Sequence, residues 1–364
     1  MNLRILDKYI LKKYLGSFLF TLFILIPIAV AIDVSEKIDK FLRHTNLSVG
    51  EIIEDYYVNF IVYYANTFMP LALFISVIFF TSKLSNNTEI IAINSASISF
   101  TRFLKPYFIG ATIVTCYGLY INHFVVPNSN ETLSRFEKKY INTRSNVKDN
   151  YVKEFSMRLG KGRYIYIQNF GLRTNRGYDF SYEEFDGLKM KYRLTANEIK
   201  WSKKDSVFTL TNFTKRKRFN DYDSISSGKK FDTVFDFSPK DLLYVDYLSR
   251  EMTSIELKKF IERSKDRGVK NLNAYYVELY KRTTLPISSY IMTLLAVCLS
   301  FRKKRGGMGV NMAIGIGLMF IYVFFMKVAE VLGAVAGSNT ILLIWMPNVV
   351  FGTLAFYLYN KSKK

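Results

Sequence analysis

The sequence predicts a polytopic α-helical membrane protein with six transmembrane helices and an inserted extracytoplasmic antiparallel β-jellyroll-like domain. Three observations carry that expectation. Apolar runs of about 20 residues recur along the chain, basic residues gather in alternate loops between them, and one long insert alternates apolar and polar residues with a strand period. A chain of 364 residues would otherwise suit two or three soluble domains.

The apolar runs come first. Residues 14–32 and 56–82 contain no formal charge, and 106–126 contain no Asp, Glu, Lys or Arg. Further runs occupy 283–301, 306–326 and about 340–359. A bilayer core about 30 Å thick needs roughly 20 helical residues to cross it. Six segments meet that length. Ala29-Val30-Ala31 resembles a small-residue cleavage site, but the run is longer than a signal core and five spans follow, so it is expected to remain a span. Pro27, Pro70 and Pro286 are expected to mark kinks within spans. Gly309, Gly315 and Gly317 suggest a close helix-packing face. Cys116 and Cys298 both fall in spans and read as small apolar residues.

Charge orients the spans, because short cytoplasmic loops favour Lys and Arg. Residues 1–13 carry Arg4, Lys8, Lys12 and Lys13 against Asp7. Lys83, Arg102 and Lys105 outnumber Glu89 between the second and third spans. FRKKRGG (301–307) and the tail NKSKK (360–364) are basic throughout. Between the first two spans, Asp33, Glu36, Asp39, Glu51, Glu54 and Asp55 outnumber Lys37, Lys40 and Arg43. Both termini are therefore expected in the cytoplasm. Much of the net charge of +21 is topogenic, and no nucleic-acid partner is needed to explain it.

The domain plan is 1–126, 127–271 and 272–364. The first part holds spans one to three and a cytoplasmic helix at about 85–97. The middle part is an extracytoplasmic β domain with flanking helices, and the last holds spans four to six. In the insert, GRYIYIQNF (162–170) alternates, and 178–201 reads as two strands about the Asp186-Gly187 turn. Residues 205–219 and 229–237 continue the period, which suggests a sandwich or jelly-roll-like sheet. NETLSRFEKKYINTRSN (130–146) reads as a polar helical stalk. MTSIELKKFIERSKDRG (252–268) has a capping signal at Thr253 or Ser254 with Glu256.

Catalytic signatures are missing. The chain has no GxxxxGK[ST] loop, GxSxG elbow or HExxH helix, and its histidines, His44 and His123, have no sequence neighbours that would complete a metal site. No catalytic residue, metal or cofactor is expected in this chain.

Three stretches together resemble the lipopolysaccharide-export permease family LptF/LptG: ILDKYILKKYLGSF (5–18), LSNNTEIIAINSASISFTRFLKP (84–106), and the pair MTSIELKKFIERSKDRG with FRKKRGGMGVNMAIGIGLMFIYVFF. The opening looks more like the G member. The resemblance implies a permease subunit of an ABC exporter in the bacterial inner membrane, with its β domain in the periplasm. It would extract lipopolysaccharide and pass it to a periplasmic β-jellyroll bridge. The implied partners are a paired F- or G-type permease, an LptB-like ATPase dimer holding ATP and Mg, a single-span LptC-like protein and an LptA-like bridge. The first and fifth spans would form lateral gates.

Candidate residues follow. With Asn86 as N-cap, Glu89 takes the third helical position, where a capping-box acid belongs. The resemblance adds a contact from Glu89 to a basic residue of the ATPase, with Ile90, Ile91 and Ile93 able to seat the helix in an apolar groove. Arg102, grouped with this coupling region, reads as snorkelling at the interface. Lys37, Lys40, Arg43 and His44 are candidates to hold lipid phosphate, against a plainer reading of i,i+4 pairs Asp33–Lys37 and Glu36–Lys40. Lys327 and Glu330 form an i,i+3 pair that either closes on itself or faces lipid. Ile165, Ile167, Phe208, Leu210 and Phe235 would line an acyl-chain path or form the core of the β domain. Two rivals remain open, an ion-driven secondary transporter and a non-transporting scaffold. Charges clustered at span ends count against the first.

Overall fold

The computed structural model describes residues 4–141, 151–171, 174–202, 207–219, 222–237, 239, 246–269, 272–301 and 307–363. Arg302 to Gly306 of the basic run, residues 142–146 of the expected stalk and Lys364 lie outside the described residues.

Six helices are long and apolar enough to cross a membrane: α1 (Ile5–Leu42), α2 (Val49–Asn86), α4 (Phe100–Ile141), α7 (Asn273–Ser300), α8 (Gly307–Ala334) and α9 (Thr340–Lys363). The seven-residue α3 (Glu89–Ser95) joins α2 to α4. Capping explains several starts. Ser48 Oγ accepts from the Glu51 N–H ahead of α2, and Ser99 Oγ accepts from the Arg102 N–H ahead of α4. The expected stalk is the far end of α4, which continues unbroken to Ile141. The chain divides into two compact units, one of residues 1–141, 250–255 and 273–364, the other of residues 142–249 and 256–272.

In the helical unit, α7 and α2 are the most buried, while α1 is buried mainly near its two ends. Near its start Ile10, Tyr14 and Phe18 enter the main core, and near its finish Phe41 joins Tyr56, Phe60 and Phe136 in a second cluster. Between them Leu19, Phe20, Phe23, Ile24, Ile28 and Ile32 are exposed. Gly110 of α4 lets Tyr14 lie against its backbone, since a Cβ there would sit 2.5 Å from the ring. Of the three α8 glycines expected to pack, only Gly315 does so, against Ile78. Gly309 and Gly317 meet open space. Their spacing does not put all three toward α2.

In the other unit, β1 (Tyr151–Gly160), β2 (Arg163–Gly171), β3 (Arg176–Asp186), β4 (Lys189–Ser202), β5 (Val207–Arg218) and β6 (Asp223–Thr233) form one antiparallel sheet. Each strand neighbours the next in sequence, so the described strands make an up-and-down meander and not the Greek-key order of a jelly roll. Short turns such as Asp186-Gly187 favour that order, with Gly187 at φ +58°. The helical segments α5 (Asp246–Glu251) and α6 (Ser254–Asp266) follow, of which residues 250–255 belong to the helical unit. The Arg267 carbonyl just past α6 accepts from the Arg158 N–H of β1 at 2.7 Å.

One line crosses the whole sheet. Glu154, Gln168, Asp179, Asn197, Asn212 and Lys229 lie side by side, and no ladder pair joins them although their neighbours pair in unbroken register. All six are polar and exposed. Glu154, Asp179 and Asn212, on alternate strands, have left-handed backbones with φ of 50–53°. Along each strand the inward-facing set skips one residue here: Ile165 and Ile167 then Phe170, Gly177 then Phe180, Ala196 then Ile199. On β1, β3 and β5 a left-handed residue turns the alternation over, and β2, β4 and β6 skip at the facing position without one, so both halves keep their apolar side chains on the same face. The result is a folded sheet with one continuous core.

Candidate functional site

Three polar constellations stand out in the helical unit. The first lies at the end where both chain termini sit, as the Thr101–Tyr359 hydroxyl contact of 3.3 Å indicates. Thr88 (φ 61°) and Ser97 (φ 57°) bracket α3 with left-handed turns, so neither neighbouring helix continues into it. Thr88, not Asn86, is the N-cap, Asn86 ends α2, and Glu89 is the first residue of α3. The expected capping box is therefore not formed. Instead Glu89 Oε2 accepts from the Tyr9 hydroxyl at 3.0 Å and Oε1 from Asn87 Nδ2 at 3.5 Å. Ile90 is buried in this chain's own core and Ile93 packs beside it, while Ile91 is exposed. Ile90 and Ile93 thus hold α3 to its parent, and Ile91 is the isoleucine left for a groove elsewhere.

Arg102 has a specific partner within the chain. Its guanidinium donates to both Asp7 oxygens at 2.6 and 2.7 Å, a bidentate pair that ties α4 to the start of α1. The Asp7 side chain is only 3% exposed, so this pair compensates an otherwise costly buried charge.

The second constellation joins the far ends of α1, α2 and α4. Lys37 Nζ lies 2.9 Å from Asp33 and 3.5 Å from Glu137, and it also donates to the Tyr56 hydroxyl. Tyr56 in turn donates to Asp33 at 3.0 Å. The i,i+4 pair Asp33–Lys37 is formed, and two carboxylates already neutralise the ammonium. His44 is turned to the Tyr140 carbonyl at 2.8 Å. Lys37, Lys40, Arg43 and His44 therefore do not assemble as one phosphate-binding face. Lys40 is half-buried and Arg43 is exposed.

The third is a cavity of about 270 Å³ among α2, α4, α7, α8 and Arg250. Its apolar wall includes Leu71, Leu285, Met319 and Phe320, and its charged wall includes Arg250, Lys281, Arg282 and Lys327 against Glu278 and Glu330. Lys327 and Glu330 do pair, at 3.0 Å, but Glu330 is also gripped by Lys281 at 2.9 Å. Arg282, almost fully buried, bonds Glu278 and the Ser254 hydroxyl, which also meets His123 Nδ1 at 2.6 Å. Asn66 and Asn122 exchange amide hydrogen bonds across the helices. Cations outnumber carboxylates on the wall, so the cavity offers an anionic group a place beside a greasy surface.

The sequence reading missed Tyr9, Asp7, Glu278, Lys281 and Arg282. The Glu278–Arg282 spacing in YVELYKRTT (276–284) was the available signal for the last three. Tyr56, Asn122 and Glu137 each sit in a π-helical turn (Ile52–Tyr57, Ile121–Val125, Glu137–Ile141), a local widening that often accompanies function.

In the β unit, Ile165, Ile167, Phe208 and Leu210 are buried in a single core, and Phe235, beyond the end of β6, packs over it against Phe180, Tyr182 and Phe208. Outside the membrane helices, burial and Glu184 push the Tyr182 phenol up to about 12.

Comparison with the curated proteins gave no match. The family described as lipopolysaccharide export system permease LptF/LptG matches residues 8–361, from the first helix through the sheet to the last helix. With six membrane helices, the inserted antiparallel sheet and that match over nearly its whole length, the chain belongs to the LptF/LptG family of lipopolysaccharide-export permeases.

Proposed function

We propose that this chain is one permease subunit of an exporter that extracts lipopolysaccharide from the bacterial inner membrane, driven by ATP hydrolysis in a separate LptB-like ATPase dimer. The observation that carries this reading is α3. It is a short helix set between two membrane helices by sharp turns at both ends, with Ile91 exposed and Glu89 half-buried beside a buried Ile90. The distribution of basic residues favours the cytoplasm for this end, where an ATPase would be met. A second F- or G-type permease would complete the transporter.

The exposed middle of α1 and the exposed Phe320 and Phe324 of α8 suit the lateral gates through which lipid passes. The cation-rich cavity suits an anionic lipid headgroup. The β unit, on the periplasmic side by the same orientation, would hand the lipid on with LptC-like and LptA-like partners. The test is co-purification of the assembled complex from membranes. Glu89→Arg places a cation where a basic partner residue is expected, so ATPase recovery and lipid release should both fall at least tenfold. Normal recovery and release in that variant would refute the assignment.

A further inference from the structure

Glu89 is held by a residue of a different helix. Tyr9, in the second turn of α1, is partly exposed, and its hydroxyl donates to Glu89 Oε2 at 3.0 Å across 80 residues of sequence. A second tie lies beside it, where Asp7 takes two guanidinium hydrogen bonds from Arg102 in the first turn of α4. The segment that carries α3 is thus fastened to α1 at the first residue of α3 and again at the start of α4. Its backbone links to α2 and α4 pass through left-handed residues, Thr88 and Ser97, and so carry no continuous helix.

A carboxylate has about four lone-pair sites. Tyr9 uses one on Oε2 and Asn87 approaches Oε1 at 3.5 Å, so space remains for a cationic donor from outside. The phenol does not compete with such a donor. It fixes the direction in which the carboxylate points, and it makes α1 respond when α3 is displaced. The exposed middle of α1 has little packing to resist that movement.

We infer that Tyr9 is the positioning residue for Glu89, fixing its carboxylate at the surface and transmitting displacement of α3 to the first membrane helix. The inference rests on the reading of Glu89 as the ATPase contact. In that setting, ATPase binding is felt first at the foot of α1, whose midsection is exposed to lipid. Arg102 serves as the second fastening.

The experiment uses the assembled complex in lipid nanodiscs containing lipopolysaccharide, with ATP hydrolysis and lipid release measured on the same sample. Tyr9→Phe keeps the ring and removes only the hydroxyl. Lipid released per ATP should fall about threefold to tenfold, the weight of one ordinary hydrogen bond, while the complex still assembles. In a Glu89→Ala background, Tyr9→Phe should add nothing further, because the acceptor is gone. Unchanged lipid release per ATP in Tyr9→Phe, or independent multiplying effects in the double variant, would overturn the inference while Glu89→Arg still lost the ATPase. A Glu89→Arg complex that keeps its ATPase would overturn the functional reading, and the inference with it.

Discussion

The seat of Tyr14 against Gly110 can be tested by a double-mutant cycle. Gly110→Ala would put a Cβ 2.5 and 2.7 Å from ring carbons of Tyr14. The ring has nowhere to go. It is fully buried, its hydroxyl bonds Thr293 at 2.8 Å, and Phe80 and Tyr107 meet it edge-on at 6.4 and 6.2 Å. Overpacking of this kind costs about 1–3 kcal/mol, offset in part by the roughly 1 kcal/mol that alanine gains over glycine in a helix. Tyr14→Ala removes the ring and should cost about 3–5 kcal/mol as a buried cavity. In the double variant the new methyl enters vacated space, so the clash vanishes and the total falls below the sum by about 1–3 kcal/mol. Thermal unfolding of the detergent-purified protein reads this, at about 2–4 °C per kcal/mol for domains of 150–250 residues and less for a longer chain. Additivity of the two changes to within about 0.5 kcal/mol would show that the two residues are not coupled.

Further outcomes follow from other positions. Asn212→Val puts a β-branched residue at φ 52°, which should destabilise the β unit by about 1–3 kcal/mol, read by the fluorescence of Trp201 packed on Phe208. Wild-type behaviour there would argue against the fold line. Tyr182 has its folded pKa raised from 10.0 to about 12, so its contribution is complete below pH 10 and is lost as pH rises through the interval to about 12. Tyr182→Phe should abolish that alkaline loss, and an unchanged alkaline transition in the variant would count against Tyr182 as its source. Lys281→Met leaves Glu330 with Lys327 alone and should cost about 1–3 kcal/mol in thermal unfolding, with Glu330→Gln restoring much of it. No rescue would mean the pair is not coupled.

The membrane spans were legible because length and composition alone decide them. A run of 19 or more uncharged residues has few other homes, and all six runs are helices in the structure. The strands were legible by period, except at two places. β1 falls in YVKEFSMRLG (151–160), whose charges hide its inward Phe155 and Met157, and β6 begins in the polar DSISS (223–227). The fold line hid in plain view. Each strand reads as alternating on either side of Gln168, Asp179, Asn197 or Asn212, and the one-residue skip gains meaning only when the strands are laid side by side.

The candidate site was less legible, for a different reason. Asp7–Arg102, Tyr9–Glu89 and Lys281–Glu330 join residues 49 or more apart in sequence, so no local spacing announces them. α3 has only seven residues, too few for periodicity to tell Ile90 from Ile91. The left-handed Thr88 decides which one faces inward, and Asn86 looked like the better cap only because α2 was expected to stop sooner.

These features bear on the lateral-gate role proposed for α1. It is fastened at one end by Asp7, Ile10 and Tyr14 and at the other by Asp33, Lys37 and Phe41. The stretch between contains Pro27, which has no N–H for the helix ladder. Bending concentrated there would displace the exposed midsection without breaking either polar fastening. In water that apolar midsection would be a liability, but among lipid tails it is solvated as well as it would be against another apolar helix. A helix or acyl chain that meets it therefore gains only packing contacts, which favours reversible association. If α1 serves as the lateral gate proposed above, admitting a lipid in each cycle and closing again, it would be better served by such contacts than by buried ion pairs, which this chain keeps at the two ends of α1.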